Sequence, residues 1–141
     1  MTSLQVVTEL LEDSRIQLEK SIEGLPTELE DVRVSENTMS PKEAIVHLSE
    51  VYLAFQGLVQ GKKYEWGSFQ PRSESFNECF EEALELRDEL VRMILAANQF
   101  KIGIDVALHD QYHVGQICMV RQSKDPTWDW RALYRHYTYD L

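Results

Sequence analysis

Apolar positions in this chain recur at intervals of three and four over four separate stretches, the period of a helix with one side turned inward. The first stretch runs from about Ser3 to Glu23. Leu4, Val7, Leu11, Leu18, Ile22 and Leu25 form its stripe, and Gly24 and Pro26 supply the stop. The second opens on "SPKE", where Ser40 is placed to cap, Pro41 suits the first helical position and Glu43 completes a capping box. Ala44, His47, Leu48, Val51, Phe55 and Leu58 then line one face down to Gly61. "SFNE" at 75–78 is another capping-box match and starts the third stretch, carried by Phe76, Phe80, Ala83, Leu90, Ile94 and Ala97 toward Asn98. The fourth spans about Ile102 to Arg121. Its inward face reads Ile102, Val106, His109, His113, Ile117 and Val120, with Arg121 where the helix dipole favours a cation.

Helices of about 20 residues span about 30 Å and can pack side by side, so the expected fold is all-α, a four-helix bundle. A single domain covers 1–141, with its core over about 3–122. The aromatic tail, "DPTWDWRALYRHYTYDL", forms a short fifth helix or a strap over the bundle or a partner. Long connections after the first and second helices permit crossovers, whereas the short third connection favours antiparallel neighbours.

The chain of 141 residues is long enough to bury a core without disulfides or a structural metal. No stretch reads as a membrane span or a signal peptide, so a cytoplasmic protein is expected. Asp and Glu total 24 against 14 Lys and Arg, a formal charge of −10. That charge repels phosphate backbones and anionic lipid surfaces, and the expected partners include neither nucleic acid nor membrane. The longest basic cluster is Lys62-Lys63, within the irregular linker "GKKYEWGSFQPR". Cys79 and Cys118 lack a metal-knuckle or redox spacing and are expected as free, buried thiols.

The chemistry lies in the histidines. Four residues advance a helix by about 400°, so the rings of His109 and His113 can converge on one point. His47 falls on the apolar face of another helix, whereas His136 lies in the tail. Zinc and similar divalent ions accept imidazole nitrogen, and three histidines leave a fourth position for water or substrate. Neutral imidazoles buried without partners cost about 1–3 kcal/mol each, and a shared ion satisfies them together. Glu50, one turn beyond His47, is a candidate to orient a ligand ring or act as a base. Asp105, one turn before His109, is a candidate orienter. Tyr112 and Gln116 are candidates to hydrogen-bond near the site. Trp66, Phe69, Trp128 and Trp130 either wall an apolar pocket or cover the core or a subunit contact.

"LHDQYHVGQICMVRQ" resembles the last bundle helix of the DinB/YfiT-like family, in which His, three residues, His and then Gly-Gln-Ile recur. "SPKEAIVHLSEVY" is similar to the family's second helix, and the order of elements matches over roughly residues 3–122. The resemblance implies a four-helix bundle, often a homodimer, with zinc or nickel held by His47, His109 and His113. It implies a metal-dependent enzyme acting on a small molecule. Transfer of a low-molecular-weight thiol such as bacillithiol or mycothiol is the leading reaction class, and isomerisation another. The alternative is a noncatalytic metal-binding or stress-response bundle.

Overall fold

A computed structural model describes residues 1–139. Four helices make up the body: α1 (Ser3–Ile22), α2 (Pro41–Val59), α3 (Phe76–Ala96) and α4 (Phe100–Lys124). Single 3-10 turns lie at Thr27–Leu29 and Trp130–Leu133, and no strand occurs among the described residues. Among the described residues no helix is long and apolar enough to cross a membrane.

The helix starts follow from local side-chain chemistry. Ser40 accepts from the Glu43 N–H while Glu43 reaches back to the Ser40 N–H, the reciprocal box read from the sequence. Thr2 and Gln5 form a second box at α1. The third start is only half of one: Ser75 accepts from the Glu78 N–H, but its own N–H is taken by the Ser73 hydroxyl. α3 ends through Asn98 in a left-handed conformation (φ 53°), with the Gln99 N–H reaching the Ile94 carbonyl at 3.0 Å.

α4 packs mainly on α1 and α2, and α2 packs on α3. α3 and α4 share few contacts despite the short link between them, so this connection does not make the close pair that its length suggests. The reason lies in the broad buried surface of α4, where Gly103, Val106, Ala107, Asp110, His113, Val114, Ile117, Val120 and Arg121 are all buried. That surface fills the space between α1 and α2. Gly103 permits the approach of α1, since a Cβ there would stand 2.7 Å from Val7 Cγ1.

Several expected core positions lie elsewhere. Leu4 and Leu58, each one residue from a helix end, are exposed, and Ala97, also exposed, lies one residue past the end of α3. Cys79 is buried and Cys118 half-buried, and both are free. Arg121 is buried and donates to the Ser21 and Glu23 carbonyls at 2.9 and 2.7 Å, so it serves the C-terminal end of α1 as well as that of its own helix. Trp128 lies over its guanidinium, 4.8 Å from ring centroid to Cζ. The tail forms a strap rather than a fifth α-helix: Leu133 is buried, and Gln17 donates to its carbonyl and to the Tyr137 hydroxyl. Asp140 and Leu141, the last of the expected tail, lie outside the described residues.

Candidate metal centre

α2 and α4 bring His47, His109 and His113 together. One nitrogen from each ring lies within 4.8 Å of the others, and the ring centroids are 4.9 to 5.7 Å apart. The two rings of α4 face one another, with Nε2 atoms 3.1 Å apart. A tetrahedral ion with nitrogen ligands at about 2.0–2.1 Å separates such atoms by about 3.3 Å, so this edge of the cluster is close to the required size.

The protonation pattern also suits a cation. His113 Nδ1 lies 2.8 Å from Gln116 Oε1, which makes Nδ1 the donor and leaves the Nε2 lone pair directed at the cluster. Burial, the largest influence, lowers the His113 pKa to about 4; the Gln116 hydrogen bond opposes this, and the rings of His109 and His47 add to it. His109 is lowered as well, first by burial and then by His47. At neutral pH these two rings therefore offer lone pairs rather than positive charge. His113 is buried, whereas His47 and His109 are half-buried, so the cluster sits where the core meets solvent.

Two clefts open there. One, of about 500 Å³, is lined by His47, Glu50, Phe69 and the charged side chains of Asp31, Lys42 and Glu43. The other, of about 420 Å³, is lined by His109, Trp66, Phe55 and further apolar groups. Trp66 and Phe69 thus both stand at the site. Trp128 and Trp130 do not: Trp128 packs on Arg121, and Trp130 lines a separate groove along α4 and the strap.

The other candidates separate by what they touch. Gln116 fixes the His113 ring, and Tyr112, largely exposed, meets that ring edge-on at 5.1 Å between centroids. Glu50 accepts from the Tyr64 hydroxyl at 3.2 Å and from the Gly67 N–H, so it pins the 61–67 segment while lining the cleft beside His47. Asp105 orients no histidine: it pairs with Lys101 one turn earlier on the exposed side of α4. His136 lies away from the cluster, 3.3 Å from Asp13 on α1.

Sequence reasoning missed a polar cluster behind the histidines, with one member from each helix. Asp110 of α4 accepts from Arg87 of α3 (2.9 Å), Tyr52 of α2 (2.5 Å) and Ser14 of α1 (3.2 Å). Arg87 also donates to the Leu11 carbonyl and to Ser14, both at 2.7 Å. All four side chains are buried. The available signal was spacing: Val106, Asp110, Val114 and Ile117 follow the helical period through the centre of the buried surface, with His109 at its edge. Desolvation raises the Tyr52 pKa well above its ordinary value, so this hydroxyl stays a donor.

No known protein family matches the chain, and neither a curated protein nor a solved structure gives a significant match.

Proposed function

We propose that this protein is a metal-dependent enzyme acting on a small molecule, with a divalent ion held by His47, His109 and His113. The single observation that carries this reading is the convergence of three imidazole nitrogens within 4.8 Å at a point reached by two clefts. Three converging imidazoles, two of them held neutral by burial and one of these oriented by an amide through its far nitrogen, are the donor set expected of a zinc or nickel site. When bound, such an ion lowers the pKa of a water or thiol in its open position and supplies a nucleophile at neutral pH. The residues do the remaining work. Gln116 holds the His113 tautomer, Asp110 and its partners hold α4 in register, and Phe55 and Trp66 give the cleft beside His109 an apolar wall. Transfer of a low-molecular-weight thiol to an electrophile is the leading reaction class, supported by the resemblance of the α2 and α4 motifs to the DinB/YfiT-like family.

Metal analysis after zinc or nickel reconstitution tests the ligand set. One ion per chain is expected, lost in His113→Ala, and absence of a stoichiometric ion removes the proposal. A thiol-conjugation screen on the metal-loaded protein tests the reaction. The noncatalytic reading has its own support, since His113 already has a neighbour at each nitrogen without an ion. Under that reading His113→Ala lowers the thermal midpoint and no turnover is found in either form. Under the enzymatic one the variant stays folded and turnover is lost.

A further inference from the structure

We propose that the cleft beside His109 binds a small molecule with an anionic head and an apolar body, the anion held by Lys62 and Lys63. This rests on reading the histidine cluster as the reactive end of that cleft. The cleft of about 420 Å³ is within the range for small ligands, and its walls are mainly Val51, Phe55, Leu58 and Trp66. Among the described residues its only charged lining groups are the two lysines, and no carboxylate lines it. In a chain of net charge −10 that is an unusual local field.

The availability of these two cations distinguishes them. Among the described residues every arginine pairs with a carboxylate, as do Lys20 and Lys101, and Lys42 donates to the Glu74 carbonyl. Lys62, Lys63 and Lys124 have no such partner there, and two of these three stand side by side at one cleft.

Their segment is also held in place. Gly61 turns the chain at φ +71°, and the Lys62 N–H then returns to the Gly57 carbonyl at 2.7 Å. A Cβ at Gly57 would come within 3.3 Å of the Lys62 carbonyl oxygen, so glycine there lets the segment lie against α2. Beyond the lysines, Tyr64 and Gly67 are tied to Glu50, and Tyr64 meets Trp66 edge-on at 5.3 Å. The lysine backbone is fixed at both sides before any ligand arrives, which reduces the entropy lost on binding. The second cleft carries three carboxylates, Asp31, Glu43 and Glu50, against the single Lys42, whose ammonium donates to the Glu74 carbonyl, so an anion is directed to the Lys62 and Lys63 side.

The test uses 4-phenylbutyrate and its uncharged amide as probes, titrated into zinc-loaded and metal-free protein with tryptophan fluorescence and calorimetry as readouts. The acid is expected to bind about tenfold more tightly than the amide. Lys62→Gln/Lys63→Gln should abolish that preference while leaving zinc affinity unchanged. Leu58→Glu, at an exposed wall position, should weaken the acid more than the amide. Equal binding of the two probes, or an unchanged preference in the double variant, overturns the proposal. An acid preference that needs zinc but survives the lysine substitutions also overturns it, because the anion then sits on the metal. If zinc fails to bind while the lysine-dependent preference persists, the metal reading falls and the cleft assignment stands.

Discussion

Replacing Arg87 by Met tests whether the buried cluster around Asp110 holds the four helices together. Both side chains of the pair are essentially without solvent, at 2% and 0% exposure, with Nε to Oδ2 at 2.9 Å. Met has a similar reach and fills the apolar part of the space, so the main loss is electrostatic: the Asp110 carboxylate stays buried with two hydroxyl donors and no cation. Removing one partner of a buried pair costs about 3–5 kcal/mol. The lost bond to the Leu11 carbonyl adds about 1 kcal/mol. Against a total stability of about 5–15 kcal/mol, this is roughly a quarter or more. For a chain of this size it corresponds to a fall of roughly 13–20 °C in thermal midpoint. Urea unfolding of the metal-free protein at pH 7 measures it, with Asp110→Leu and the Arg87→Met/Asp110→Leu double variant completing a cycle. The double variant should recover at least 2 kcal/mol relative to Arg87→Met, since it leaves no buried charge. A loss below about 1 kcal/mol in Arg87→Met, or a double variant no better than the single, refutes the reasoning.

Further outcomes follow from the same geometry. Gln116→Leu removes the acceptor that fixes His113 Nδ1 and should weaken zinc binding about 10–100-fold with the fold intact, as read by chelator competition. Because the folded His113 pKa is depressed to about 4, the unfolded chain binds more protons between about pH 6.5 and pH 4. Stability of the metal-free protein is therefore expected to fall through that window as pH drops, and His113→Gln should flatten the slope measured by urea titrations. Gly103→Ala puts a methyl 2.7 Å from Val7 Cγ1, which should destabilise by about 1–3 kcal/mol in thermal melts; a neutral result would mean α1 can retreat from α4.

The amino-acid sequence alone determined the four helices and most of their limits, because capping and periodicity act between residues three or four apart. Ser40 with Glu43, the Asn98 end of α3 and the His109/His113 pair are of this kind. The inward direction of His47 was legible in the same way, and tertiary packing joined it to the pair on α4. Packing also decided what no local pattern contains. Asp110 looks like an ordinary polar residue of α4 until Arg87, 23 positions earlier, and Ser14, 96 positions earlier, meet it in the core. Arg121 looks like the cationic end of its own helix until the last carbonyls of α1 arrive beside it. Lys62 and Lys63 read as a short basic cluster in an irregular linker until Gly57 and Glu50 draw their segment against α2 and make them the rim of a cleft. The physical reason is range: caps and stripes are written in contiguous residues, whereas a buried charge or a cleft is defined by atoms that become neighbours only when separate helices pack.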